Sequence, residues 1–503
     1  MYERDSLFVD GRWRAPRGTA VIEVTEAATG EVLGTVPAGS AEDLEAAVAA
    51  ARAAFAGWAA TPVAERARLV RALAAGLAAR EEELAVLMSR EVGTPLAVSR
   101  RVQVGLGVSV LETMADEAER LPGHERVGSS LVFRQPAGVV GAVTPWNYPI
   151  YQLAAKVGPA LAAGCTVVVK PSSVAPLSAF ALAEVAVAAG LPPGVLNVVT
   201  GRGALLGEAL AQHPEVDLVS LTGSTDAGAR VAALAAATIK RTTLELGGKS
   251  AFLLCPGSDL DAALPNAVRS AFVNNGQTCA ATSRLLVPRD ELDEVEQRLT
   301  ALVEAMVVGD PLDEATDLGP VATASQQQSI RRYLDKAGDD GTVLTGGPGP
   351  VPGLRDGLGH GYWVRPTVVS RLDPGSVLAR EEIFGPVLSV LAYDGVDTAV
   401  DLANDSDYGL SGAVWSEDLA TSVAVARRLR TGQVSVNGGR FNVRAPFGGF
   451  KRSGVGRELG VHGLLEYFEL SSLQLPAGSR YDPAFDPAFD PHEGRADEPE
   501  AGS

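Results

Sequence analysis

From residue 139 onward the chain repeats one hydropathy pattern: a short apolar run, a turn, then an Ala-rich stretch with helical spacing. "VVGAVTP" leads to a helix expected near 150–163, and "CTVVVKPSS" to one near 177–190. "GVLNVVTG" leads to one near 203–212, "VDLVSLTGS" to one near 224–236, and "TTLELGG" closes the series. Apolar strand, turn and helix repeated in this way predict a parallel sheet covered by helices. A second β/α region starts at "SAFLLCPGSDLDAAL" and runs to about 462. Within it, "RSAFVNNG" reads as the end of an amphipathic helix and "SRLLVP" as a strand. Upstream, the first 40 residues alternate as short strands ("SLFVDGRW", "TGEVLGTVPAG"), and residues 41–120 carry helical spacing, as in "AEDLEAAVAAARAAFAGWAA". The acidic, Asp-Pro-repeating end, residues 477–503, is expected to be a disordered tail.

Length and charge narrow the reading. At 503 residues, and about 100 to 200 residues per domain, two or three domains are expected. A formal charge of −18 argues against nucleic acid or an anionic membrane as a partner. No run of about 20 apolar residues suggests a membrane span, and "MYERDSLFVDGRW" does not resemble a secretory leader. The three cysteines, at 165, 255 and 279, suit neither a disulfide framework nor a zinc site. The five histidines, among them His213, His360 and His462, have no metal-ligand spacing, so no metal is expected. A reducing cytoplasm is the expected compartment.

Cys165 and Cys255 lie in apolar, strand-like runs and read as small buried hydrophobes. Cys279 stands apart, in "NNGQTCAATSR", where Gly276, Thr278 and Ala280 leave room for a substrate carbon to approach the sulfur. A thiol there is a candidate nucleophile that must be helped to ionise or must meet a base. Glu245 ends an apolar run before a Gly-Gly turn, so it is either a carboxylate of raised pKa, fit to be a general base, or a cap on that turn. Asn147, between two prolines in "TPWNYP", is either a turn residue or an amide donor for an oxyanion. For a dinucleotide, "TGRGALLG" misses the glycine fingerprint by one position. "LVSLTGSTDAG" is better, with the amides of Gly223 and Ser224 expected to face a phosphate at a helix N-terminus. Lys170 ends a strand, where ligands of open α/β sheets bind. It is one of only six lysines, and Lys156, Lys170 and Lys249 all fall in these motif regions.

Taken together, "TPWNYP", "VVVKPS", "LTGST", "LELGGKS", "NNGQTCAA", "EEIFGPV" and "PFGGFKRSGVGRELG" occur in an order and spacing that resemble the aldehyde dehydrogenase superfamily, from about residue 6 to 476. The resemblance implies an α/β fold with two Rossmann-like domains and a small β oligomerisation flap. The expected parts are an NAD(P)-binding domain (1–121 and 141–248), a catalytic domain (249–464) and a flap (122–140 with 465–476) that extends a neighbouring subunit's sheet in a homodimer or homotetramer. It further implies that Cys279 attacks an aldehyde to give a thiohemiacetal and then a thioester, with the oxyanion held by Asn147 and the Cys279 N–H. Glu245 would activate the hydrolytic water, and Lys156 would sit where the family has a lysine linked to proton relay. Glu382 and Phe384 would position the nicotinamide end and Lys170 the adenosine ribose, with Trp146, Gly223, Ser224 and Gly247 completing the cofactor site. Tyr148 and Phe447 would line the aldehyde tunnel.

One position departs from the family's NAD-preferring pattern. Where many members have a glutamate three residues after the lysine, this chain has Ser173, which tolerates a ribose phosphate that a carboxylate would repel. NADP⁺ is thus open beside NAD⁺, with NAD⁺ favoured. Arg440 and Arg444, just before Phe447, suggest a receptor for the distal carboxylate of an ω-oxo acid, against exposed or subunit-contacting arginines as the alternative. The rival functions are a CoA-acylating semialdehyde dehydrogenase, a branch that generally lacks the base corresponding to Glu245, and a catalytically silent homologue.

Overall fold

The structure is a computed structural model that describes residues 2–476; the acidic tail lies outside them. Two large sheets carry the fold. The first has eight strands, in the spatial order Gly454–Val455, Arg241–Glu245, Leu218–Thr222, Val139–Val143, Thr166–Lys170, Leu196–Val198, Leu7–Val9 and Arg12–Arg14. Its five central strands run parallel, while those at the margins run antiparallel. The strands Val139–Val143, Thr166–Lys170 and Leu218–Thr222 are buried at every position. Near-continuous Val and Leu runs are what a sheet covered on both faces requires.

The covering helix Pro149–Ala163 is likewise buried along its whole length, as its apolar periphery dictates. Pro149 opens it, and Gly164, at φ 99°, closes it in the left-handed region.

The order of the central strands matters for function. From Val139–Val143 the chain steps outward to Thr166–Lys170 and Leu196–Val198, then returns on the other side to Leu218–Thr222 and Arg241–Glu245. Such a reversal opens a crevice beyond the carboxyl ends of the two strands that flank it. Those ends carry Trp146 and Asn147 on one side, Gly223 and Ser224 on the other.

The second sheet has seven strands, ordered Thr342–Thr345, Thr367–Ser370, Val387–Tyr393, Arg284–Pro288, Ala251–Leu254, Ser411–Trp415 and Gln433–Val436. All pairs but the first are parallel. Two three-stranded sheets complete the fold. One joins Tyr2–Glu3, Val32–Pro37 and Val21–Thr25; the other joins Phe468–Gln474, Ser130–Pro136 and His124–Val127.

Two boundaries differ from the sequence reading. Val139 and Val140, expected in the flap segment, belong to the eight-stranded sheet, because the apolar run to Val143 is one continuous strand. Gly454–Val455, expected with the catalytic half, pairs instead with Leu244 and Glu245 at the margin of the first sheet. Among the described residues no helix is long and apolar enough to cross a membrane, and no His, Cys, Asp and Glu side chains cluster as a metal site.

Candidate active site

The carboxyl ends of the first sheet meet the amino ends of the second. Cys279 lies just before the strand Arg284–Pro288, and Glu382 just before its neighbour Val387–Tyr393. Asn147, from the first sheet's crevice, donates its Nδ2–H to the Gln277 carbonyl (3.0 Å). The Gly248 N–H, following the strand Arg241–Glu245, donates to Glu382 Oε1 (2.9 Å).

The thiol loop is held in an unusual conformation. The helix Leu260–Phe272 stops, and Val273–Gly276 makes a tight turn in which Asn274 (φ 54°, ψ 39°) and Asn275 (φ 59°, ψ 30°) are left-handed. "RSAFVNNG" is therefore only partly helical, because asparagine is the non-glycine residue that best tolerates that region. Gly276 continues it at φ 73°, and a Cβ there would stand 2.1 Å from the Gly385 carbonyl. Side-chain bonds make this conformation affordable. Asn275 donates to the carbonyls of Gly93 and Pro320 (2.8 Å each) and accepts from the Gly319 N–H (2.8 Å). Gln277 Oε1 accepts from the Ala322 N–H (2.8 Å), and Thr278 Oγ1 donates to the Val273 carbonyl (3.1 Å).

Cys279 is half-buried. Desolvation first, then the nearby carboxylates of Glu382, Glu245 and Glu458, push its thiol up to about 12. At neutral pH the sulfur is thus protonated and needs a base, the second of the two conditions set by the sequence. Glu245, whose carboxylate acts on that thiol, is the candidate. It is 3% exposed, and neither carboxyl oxygen has a hydrogen-bond partner. Burial, and then Glu458, raise its pKa well above the ordinary carboxylate value, with Lys156 and Arg457 opposing. A cap on the glycine turn would be bonded to that turn; this carboxyl is not.

The Gly-Gly pair behind Glu245 has its own reason. A Cβ on Gly247 would stand 2.0 Å from Glu382 Oε2, and one on Gly248 2.9 Å from the Cys279 carbonyl. The backbone must come this close for Glu245, Cys279 and Glu382 to share one site. Lys156 is fully buried and donates to Thr222 Oγ1 (2.7 Å) and to Glu458 Oε1. Thr222 in turn donates to Gln152 Oε1 (3.0 Å). Glu458 escaped the sequence reading, although it carries the same signal as Glu245, a carboxylate among glycines and apolar residues in "GVGRELG".

On the cofactor side, Lys170 is 3% exposed, and its Nζ makes no hydrogen bond among the described residues. Burial lowers its pKa to about 8. Nζ faces the turn at Gly203, 3.6 Å from where a Cβ would be. An orphaned ammonium beside the crevice fits a hydroxyl-bearing or anionic group such as a nucleotide ribose. Ser173 is half-buried on the same loop. The Trp146 and Phe384 rings meet edge to face at 5.4 Å. Gln326 Nε2 secures the left-handed Phe384 (φ 55°) through its carbonyl (2.8 Å). One expectation is corrected. The Gly223 N–H is not free for a phosphate, since it donates to the Glu245 carbonyl (3.0 Å) and so extends the ladder between the two strands. Ser224 caps the helix Thr225–Ala235 through its side chain, its Oγ accepting from the Ala227 N–H (3.3 Å). Glu382 has its pKa raised by burial to about 7, against the pull of the Gly248 N–H and Lys249.

On the substrate side, Tyr148 and Phe447 are buried, and the Tyr148 hydroxyl shares a hydrogen bond with Thr278 Oγ1 (2.7 Å). Tyr148, Tyr151, Phe441 and Phe447 form an edge-to-face run with centroids 5.8–6.4 Å apart. The two arginines part company. Arg444 is committed to Asp116 (2.9 Å) and Glu117 (3.3 Å) on the helix Gly105–Arg120. Arg440 is exposed and forms no ion pair among the described residues.

Known proteins share this architecture. The model of the aldehyde dehydrogenase family matches residues 13–473. The chain is similar to 3-succinoylsemialdehyde-pyridine dehydrogenase of a Pseudomonas species, 42% identical over 95% of this chain and 100% of that protein. It is similar also to geranial dehydrogenase of Castellaniella defragrans, 44% identical over 94% and 99%. Among solved structures, a variant of aldehyde dehydrogenase C from Pseudomonas syringae, in complex with NAD⁺ and octanal, superposes with a TM-score of 0.92 at 44% identity, covering 95% of this chain and 98% of that one. A Mycobacterium tuberculosis aldehyde dehydrogenase complexed with NAD⁺ gives 0.92 at 40% identity, covering 95% and 99%. With the family's pattern running through nearly its whole length, the chain belongs to the aldehyde dehydrogenase family.

Proposed function

We propose that the protein oxidises an aldehyde to a carboxylic acid with a nicotinamide dinucleotide and water. The observation that carries this is the pairing of a protonated thiol, Cys279, with a buried carboxyl, Glu245, that has no hydrogen-bond partner of its own. Cys279 Sγ passes its proton to Glu245, which releases it before the later hydrolysis, and bonds to the aldehyde carbon as the carbonyl electron pair moves to oxygen. Asn147 Nδ2 spends one N–H on Gln277, which leaves the other for that oxyanion, together with the Cys279 N–H. A bound nicotinamide would supply the acceptor for the hydride that leaves the same carbon. Glu382 would orient its ribose, Trp146 and Phe384 would bound its pocket, Lys170 would hold the adenosine ribose, and Gly223 and Ser224 would lie near the pyrophosphate.

The resulting thioester is hydrolysed by a water whose proton passes to Glu245 as the carbon–sulfur bond breaks and Cys279 leaves. Glu245 must then lose that proton, and the Lys156–Glu458 pair with Thr222 and Gln152 forms the buried polar path by which it leaves. Tyr148 and Phe447 line the approach to the thiol. Ser173 brings no carboxylate to the adenosine ribose, so NADP⁺ is accepted; NAD⁺ is favoured because solved relatives bind it. Leu470 and Leu473, 68% and 48% exposed on a three-stranded sheet, suit a surface that a second copy of the chain covers.

The experiment is to follow reduced-nicotinamide absorbance with NAD⁺ and NADP⁺ over a panel of aliphatic aldehydes, benzaldehyde, betaine aldehyde and ω-oxo acids, each with and without CoA. Turnover without CoA that disappears in Cys279→Ala is the expected result. Turnover only with CoA would replace water by that thiol as the acceptor, and no turnover together with an unreactive Cys279 would sink the enzymatic reading.

A further inference from the structure

A closed ring of hydrogen bonds stands behind the oxyanion amide. The Asn147 carbonyl accepts two bonds, from Gln103 Nε2 (2.7 Å) and Asn274 Nδ2 (2.9 Å). Thr94 Oγ1 links the two donors: it accepts from Gln103 Nε2 (3.3 Å) and donates to Asn274 Oδ1. Asn274 Nδ2 also reaches the Gln277 carbonyl (3.3 Å), the acceptor of the Asn147 side chain. Gln103, Thr94, Asn274 and Asn147 are all within 3% of complete burial. Burial of this depth strengthens the bonds and makes a missing partner costly.

Gln103 comes from outside both loops of the site. It sits on a π-helical turn, Ser99–Val104, that opens into the helix Gly105–Arg120. Turns of this kind are rare and cluster at functional sites. Its side-chain oxygen is buried without a partner, so its presence is not explained by full satisfaction of its own groups. What Gln103 does achieve is to fix the Asn147 carbonyl jointly with Asn274 of the thiol loop.

We propose that Gln103 is a positioning residue for carbon–sulfur bond formation and hydride loss, holding Asn147 where the oxyanion develops. The proposal rests on the function argued above. A donor displaced by about 1 Å can cost on the order of 10²-fold in rate, so the effect belongs in kcat and not in ground-state binding.

The test is a double-mutant cycle of Gln103→Met, which keeps the volume but removes both donated bonds, with Asn147→Ala. Gln103→Met should lower kcat by about tenfold or more. KM for aldehyde, the NAD⁺ dissociation constant and the rate of Cys279 alkylation should stay within about twofold of wild type. In the Asn147→Ala background the same change should have almost no further effect. Equal losses in both backgrounds, or an unchanged kcat, would overturn the proposal. Should Gln103→Met not fold, Thr94→Val opens the ring at another point and is read by the same cycle. A wild-type protein that oxidises no aldehyde would overturn the function as well; an active one indifferent to Gln103 would remove only the positioning role.

Discussion

Lys156 and Glu458 form an ion pair sealed from solvent on both sides, 0% and 3% exposed, although 302 residues separate them in the chain. The lysine lies mid-helix in an element buried all round, and the glutamate lies in the segment that returns to the first sheet. Removing one partner leaves the other charge without compensation. Lys156→Met should destabilise the protein by about 3 kcal/mol or more in denaturant unfolding. The double variant Lys156→Met with Glu458→Leu should recover much of that loss, and an equal or larger loss would mean that the pair is not the source.

Thioester hydrolysis should report on Glu245. The base acts only when ionised, and burial raises its pKa well above the ordinary carboxylate value. Deacylation should therefore speed up as pH rises, with its inflection displaced upward from where a solvated glutamate titrates. Glu245→Gln should slow both the first-turnover release of reduced nicotinamide and the thioester hydrolysis that follows. Steady turnover in that variant, with the same pH profile, would assign the base elsewhere.

Cofactor binding should follow Glu382, whose carboxyl is raised to about 7. A carboxylate accepts two ribose hydroxyl bonds, whereas the protonated acid accepts fewer. NAD⁺ affinity, read by fluorescence titration, should rise as pH increases through about 7 and flatten in Glu382→Gln. Gly247→Ala drives a methyl group into Glu382 Oε2 and should weaken NAD⁺ binding while Cys279 remains open to alkylation. A pH-independent affinity in the wild type would detach Glu382 from the cofactor.

The two arginines near Phe447 make opposite predictions. Arg444 is paired with Asp116 and Glu117 in an exposed ion pair, so Arg444→Ala should cost no more than about 1 kcal/mol of stability and leave substrate preference as it was. Arg440→Ala should raise KM for ω-oxo acids several-fold and not for uncharged aldehydes of the same length. Unchanged discrimination in Arg440→Ala would end the idea of a carboxylate receptor there.

How much of this the sequence disclosed depends on the range of the interactions involved. The alternating strands and helices were legible because each is written in consecutive residues: Val139–Val143 is apolar throughout, and Thr166–Lys170 has valine at its three central positions. Cys279 and Glu245 stood out because a thiol in a small-residue turn and a carboxylate in an apolar run each break a local rule. Glu458 carries the same signal, but its partner lies 302 residues away; Gln103 and Thr94 break no such rule, and their meaning lies in partners 44 and 180 residues away. The strand Gly454–Val455 was misassigned for the same reason, since two residues carry no period and only the pairing with Leu244 and Glu245 defines them. Gly223 was credited with a free N–H because the ladder to the Glu245 carbonyl extends one residue past the strand end.

The turn of left-handed residues before Cys279 bears on how the protein comes apart. Its anchors reach Gly93, Pro320, Ala322 and Asn147, segments that precede and follow the turn by more than 40 residues. Such a turn has no inexpensive partial opening, because releasing it breaks bonds to several regions at once. Amide exchange at Gln277, whose N–H donates to the Asn274 carbonyl (3.0 Å), should then be among the slowest in the molecule, despite its place in a loop. Loss of catalysis on heating becomes a measure of cooperative unfolding, with no earlier stage in which the fold survives and the thiol has drifted out of place.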